Sequence, residues 1–393
     1  MGDSGPGGVP YRRLFGLPGV AAQGVLGFLA QLTQQVAPVG MVLVVQKATG
    51  SLALAGVTAA AFSVGAGMGR PVQGRIMDRR GPRVVLAVTA LIHVAALLGL
   101  IGCALAGWPW WPMLVLAWVS GAGLPPISVS MRIEWGRRMA GEGRTAAYSL
   151  VYLVQELAML VGPLVFGLLI AVASTSLALG VVAAAAGAGT LAFSRALRVG
   201  SAPPGREPGR VFADRRMFVL LAVVLLLGGV IGTLEVGLPA LAVARDVPAA
   251  TGLLVAALSL GGIAGAAAYG ARSWGSAVQV RLVGLMLALG VALAPLVLIG
   301  ALPLFWAALF AGGLVLNPAL TTGSLLVDEY APAAQGEAFG WVSTAIGMGG
   351  AAGAAGAGVV AERFGPSAPF LSAAALALLG ALLATSLLRR APA

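Results

Sequence analysis

Charge is scarce in this sequence: only 9% of its 393 residues are Asp, Glu, Lys or Arg, where a soluble domain carries about 25%. It holds one histidine, His93, one cysteine, Cys103, and one lysine, Lys47. A single cysteine excludes an intrachain disulfide and any cysteine-based metal site. With a single histidine as well, metal-ligand clusters and most nucleophile–base pairs of membrane enzymes are out of reach. No metal, no cofactor and no enzymatic activity are expected. The run GMGGAAGAAGAG at 347–358 follows no strand and precedes no Lys-Ser/Thr pair, so it reads as a close-packing helix face, not a phosphate loop. The opening MGDSGPGGVPYRR has no apolar core, and no cleaved signal peptide is expected. No segment between the apolar runs is long enough for a nucleotide-driven motor or a receptor's output domain.

What is abundant is grease. Hydrophobic residues make up 59% of the chain, and mean hydropathy is +0.97. Water cannot be the solvent for so much apolar surface, so the chain is expected to be a polytopic protein of the lipid bilayer. Crossing the hydrocarbon takes about 20 apolar residues. Twelve such runs fall near 18–45, 52–73, 84–106, 112–133, 146–171, 175–194, 217–242, 251–271, 280–300, 303–326, 337–360 and 367–388. Some joints are very short, such as STS after Ala173, and ten or eleven spans also fit.

The basic residues orient the chain. If both termini face the cytoplasm, 21 of the 24 lie on that side, against Lys47, Arg245 and Arg363 on the other. That skew is the one cytoplasmic loops carry, and dispersed clusters argue against a nucleic-acid partner. The expected location is the inner (cytoplasmic) membrane. Tails at 1–17 and 389–393 flank an amino-terminal bundle at 18–195, a cytoplasmic linker at 196–216 and a carboxy-terminal bundle at 217–388. The halves resemble each other. Gly56, Ala60, Ala61, Ser63, Gly65, Gly69 and Gly74 recur 196 residues later as Gly252, Ala256, Ala257, Ser259, Gly261, Gly265 and Gly270. Half-length repeats of this kind are a transporter trait.

The stretch QGRIMDRRGPRVV breaks the apolar sequence between the second and third runs. Its Gly74, Asp78, Arg79, Gly81 and Arg83 match the loop motif of the major facilitator superfamily, which the chain resembles over its whole length. The resemblance implies two pseudo-symmetric six-helix bundles working by alternating access. It also implies that Asp78 meets the start of the eleventh span across the halves and lets go when the protein opens inward. A carboxylate at a helix N-terminus is worth about 0.3–1 kcal/mol, up to ~2 when partly buried. The second-half copy, YGARSWGSAVQVR, keeps Gly270 but has no acid. In the fifth run, Gly162, Pro163 and Gly167 resemble the helix-packing signature of the drug–proton antiporters. Phe166 and Ala158 stand where that branch has glycine, and Ala117 where it has arginine.

Ionisable groups inside spans are costly and mark functional positions by default. Glu156 lies mid-way along the fifth run, with Tyr148 and Tyr152 on its helical face, and is the first candidate for proton coupling; interhelical glue is the rival role. Glu235, in the seventh run, is the second. Gln31, Gln34 and Gln35 stripe the first run, and Asn317, Thr321, Ser324 and Asp328 the tenth, at helical spacing. The first, fourth, seventh and tenth spans line the cavity in the superfamily, so both stripes are expected there. Pro125 and Pro126 should bend the fourth span. The expected partners are a small organic molecule, protons and lipid, and the chain is expected to act as a monomer. Efflux by proton antiport is the leading reading. A proton-coupled importer or uniporter is the alternative, and a non-transporting receptor or scaffold is the reading from another class.

Overall fold

The computed structural model describes residues 10–198, 209–247 and 250–388, which are almost entirely helical. A short helix, Pro10–Gly16, precedes twelve helices long and apolar enough to cross a membrane. The first three spans are Val20–Thr49, Leu52–Arg80 and Pro82–Leu105. The fourth comes in two pieces, Trp110–Ala122 and Ile127–Arg138. The fifth and sixth are Glu142–Val172 and Thr175–Ala196. The seventh and eighth follow as Arg216–Ala244 and Ala250–Ala271. The ninth runs Val278–Val297, the tenth Leu302–Tyr330, the eleventh Gln335–Phe364 and the twelfth Ala368–Leu388. The chain is an all-helical, multi-pass membrane protein.

The spans form two six-helix bundles of matching design. In the first half, span one packs on span five, two on four and three on six. In the second half, seven packs on eleven, eight on ten and nine on twelve. The repeat residues explain the match. A Cβ on Gly65 or Gly69 would collide with the backbone carbonyls of Trp118 and Ala122 in span four. One on Gly261 or Gly265 would collide with those of Phe310 and Leu314 in span ten. Lipid offers no hydrophobic drive for helix association, so close backbone approach over small residues does that job.

Proline acts differently in the two halves. Pro318 sits inside a continuous tenth span. Pro125 and Pro126 do more than bend the fourth: the helix stops at Ala122 and restarts at Ile127. One proline removes one backbone donor, which a helix survives; two adjacent ones remove two successive donors and add two ring clashes with the preceding turn. His93 lies beside this break, its Nδ1 2.9 Å from the Ser120 carbonyl oxygen and 3.0 Å from its Oγ.

Four of the expected segments reach residues outside the described ones: 1–9 of the amino-terminal tail, 199–208 of the linker, 248 and 249 of the carboxy-terminal bundle, and all of 389–393. The described end of the linker is held in place. Gly209 N–H donates to the Ala333 carbonyl, and Phe212 stacks on Phe218 at 4.7 Å between centroids. Asp214 accepts from the Arg216 backbone N–H at 2.8 Å at the start of span seven. The Arg216 guanidinium hydrogen-bonds the same carboxylate and holds its pKa below the usual carboxylate range.

Candidate functional site

The halves meet along two seams at the arginine-rich end of the molecule. In the first, spans two and eleven cross with glycine against backbone. Gly74 lies on the Gly336 carbonyl and Gly340 on that of Arg70, leaving no room for a side chain at either. Asp78 Oδ1 accepts from Gly336 N–H at 2.8 Å and Oδ2 from Glu337 N–H at 2.9 Å. These are the first two residues after the start of span eleven, whose N–H groups have no partner within the helix. Gly81, at φ 83°, turns the chain into span three. Arg83 donates to the Leu197 carbonyl, and Arg79 is exposed. Thr344 Oγ1 donates to the Gly67 carbonyl at 2.8 Å. Past that point the helices part: a Cβ on Gly67 or Gly347 would touch nothing within 4 Å, and Ser63 and Gly347 are exposed.

The second seam joins the fifth span to the eighth and tenth. Its core is a ladder of three rungs. Tyr148 donates to Asp328 at 2.6 Å, Tyr152 Oη and Ser324 Oγ lie 3.0 Å apart, and Asn317 Nδ2 donates to Glu156 at 3.1 Å. Residues 148, 152 and 156 recur every four positions and so share one face of span five. Asp328 also takes a hydrogen bond from Gln335 at 2.6 Å and an ion pair from Arg144 at 3.5 Å. Glu156 Oε2 and the buried Thr321 Oγ1 have no hydrogen-bond partner among the described residues. Tyr11, on the short first helix, donates across the halves to the Ala266 carbonyl at 2.9 Å. Burial holds its phenol up at about 12, so it stays a donor well above neutral pH.

The ladder collects Glu156, Tyr152, Asn317 and Ser324. The other cavity candidates stand apart from it. Gln31 is buried and bonds within its own span, to the Gly27 carbonyl at 3.1 Å. Gln34 and Gln35 are half-buried, Gln35 beside Gly162 of span five. Glu235 is exposed and makes no hydrogen bond or ion pair among the described residues. Pro163 is accommodated within a continuous helix, and a Cβ on Gly167 would meet open space. Two further charges inside the spans were not singled out from the sequence. Arg70 and Arg132 fall within the expected runs at 52–73 and 112–133 and were counted only toward the charge skew; Arg70 lies well inside span two and Arg132 is 95% buried. Arg70 is the only charge between Ser51 and Val72. That isolation was the available signal.

Two pseudo-symmetric bundles joined across a polar interface are the architecture of a membrane transporter. The family model of the Major Facilitator Superfamily matches residues 24–334, and the chain belongs to that superfamily. No curated protein matches it in sequence. Among solved structures it is similar to the human organic anion transporter MFSD10 (TETRAN), with 17% identity and a TM-score of 0.71 over 92% of this chain and 97% of that one. A bacterial homologue of the iron transporter ferroportin in its outward-facing state aligns at 15% identity and a TM-score of 0.75, over 94% and 98% of the two chains. The proton:xylose symporter XylE aligns at 12% identity and 0.72, over 96% of each.

Proposed function

We propose that this transporter exports a small organic molecule in exchange for protons. In this reading the arginine-rich end faces the cytoplasm, and the molecule stands closed to that side and open to the other. The observation that carries it is the Glu156–Asn317 hydrogen bond, an intramembrane carboxyl that bridges the two halves. When the bundles rock, this bond must break, and its carboxyl is then presented to water on one side at a time. A group so placed can pick up and release a proton once per cycle. Asp78 acts as the latch that closes the cytoplasmic side, and Glu235 is the second acid available to protons. Tyr152, Ser324, Thr321 and the glutamines of span one supply polar contacts to substrate. The chain works as a monomer, both termini cytoplasmic.

The test is transport by the purified protein in proteoliposomes, with a chemically varied panel of solutes and an imposed pH gradient. Glu156→Gln keeps the hydrogen bond to Asn317 and removes the titration. It is expected to abolish gradient-driven movement by at least about tenfold while sparing exchange at equal concentrations. Full gradient-driven transport in this variant would move the coupling role elsewhere. Accumulation with the proton gradient rather than against it would make the protein an importer.

A further inference from the structure

We propose that the floor of the cleft binds an anionic group, a carboxylate or phosphate-like oxyanion of the transported molecule, between Arg70 and Arg132; this deepens the transporter reading and rests on it. The two guanidiniums lean on one turn of span eleven. Arg70 Nη1 donates to the Ser343 carbonyl at 3.3 Å, and Arg132 lies 5.5 Å from the Phe339 ring centroid. Arg132 also stacks 4.6 Å over Tyr152 and donates through Nη2 to Gln155 at 3.3 Å, while its buried Nε has no partner. Neither arginine makes an ion pair among the described residues.

The acids nearby are engaged elsewhere. Asp78 holds the N–H groups of span eleven, Asp328 holds Tyr148, Gln335 and Arg144, Glu134 holds Arg138 and the Arg198 N–H, and Glu156 holds Asn317. Burying a cation without a counter-charge is costly, and placing a second one beside it raises the cost. Packing alone gives no return for that. An anion arriving down the cleft does. The planar fork of arginine grips a carboxylate or phosphate through paired N–H donors, and two forks from different spans would grip it from two sides. The way in lies past the Thr344–Gly67 contact, where Ser63 of span two and Gly347 of span eleven are exposed. Gln155 and Tyr152 join the pocket to the Glu156 rung, one turn further along span five.

Binding can be measured without transport. Full-length protein in detergent would be titrated with benzoate, phenyl phosphate, benzyltrimethylammonium and benzyl alcohol, following the thermal midpoint. One or both anions are expected to raise the midpoint of the parent protein while the cation and the alcohol do not. Arg132→Gln and Arg70→Gln should each weaken that response by about tenfold or more, and Arg132→Lys, which keeps charge but loses the fork, by less. If Arg132→Gln fails to give a monodisperse peak, Arg70→Gln and Arg132→Lys carry the same comparison. Anion responses that survive all three substitutions overturn the site, as does a preference for the cation or the alcohol. A second arm adds phosphatidylglycerol in nanodiscs. If the midpoint follows that lipid alone through the two arginines, the anion is a headgroup and the substrate assignment falls. Anion binding without any counterflow in proteoliposomes would leave the site standing and sink the transporter reading instead.

Discussion

The arginine-rich ends of spans two and eight carry the same repeat, yet they close their seams in different ways. At the first, Gly74 lets two backbones touch and Asp78, one turn further along span two, caps span eleven. At the second, Gly270 is met by side chains, the Tyr11 phenol and Ser149, and the loop brings no acid. The acid comes from span ten, where Asp328 holds Tyr148 and Arg144, and Tyr11 adds a bond from outside the repeat. One seam is a charge on backbone dipoles. The other is a web of side chains. Loss of a motif residue in one copy therefore does not mean loss of the contact, because a neighbouring element can supply it.

Substitutions can separate the two designs. The largest effect should come from Gly74→Val, whose side chain would run into the Gly336 backbone, which cannot move without displacing span eleven. Overpacking of this kind costs about 1–3 kcal/mol. Spin labels at Arg79 and Ala333 should report a lengthened distance and transport should fail. Gly270→Val should do less, since the Tyr11 ring can swing away; an equal effect would erase the contrast between the seams.

Asp78→Asn comes next. It removes the charge from the span-eleven terminus, worth up to ~2 kcal/mol when partly buried, and should shift the population toward opening at the arginine-rich end. The same spin-label pair reads it. Unchanged distances and transport would leave the loop as a topological marker only. Tyr11→Phe deletes one bond to the Ala266 carbonyl and should cost about 0.5–1.5 kcal/mol. A pair of labels on the short first helix and span eight, at Arg13 and Ala271, should broaden with little change in transport rate. Collapse of transport would instead make that helix an essential part of the closed seam.

The smallest effect is electrostatic and depends on pH. The Asp214 carboxyl is lowered by its hydrogen bond to Arg216, so its stabilising contribution is complete above the ordinary carboxylate range. It is lost as pH falls through the lowered folded value. Asp214→Asn should flatten this acid dependence in a thermal-melt series, with little change near neutrality. A parent-like acid slope in the variant would assign the dependence to other carboxylates. The topology needs its own check: a cysteine at Ala213 in a Cys103→Ser background should resist impermeant thiol reagents in intact cells. Labelling there would invert the orientation on which the export reading depends.

Much of the fold was legible along the chain because lipid imposes a local rule. Every span must satisfy its own backbone and cover it with about 20 apolar residues, which is a property of a linear window. The twelve runs and the glycines that recur after 196 positions follow from that rule, and they mark which spans press backbone to backbone. Asp78 stood out for the same reason, being an acid in a short polar break. Partners across the halves obey no such rule. Nothing local couples Glu156 to Asn317, 161 positions away, or brings Arg70 and Arg132 onto one turn of span eleven. The glutamine stripe of span one and the stripe of span ten are both at helical spacing, yet only the latter meets the ladder. Spacing determines which residues share a face; how two bundles are rotated against each other determines what that face meets.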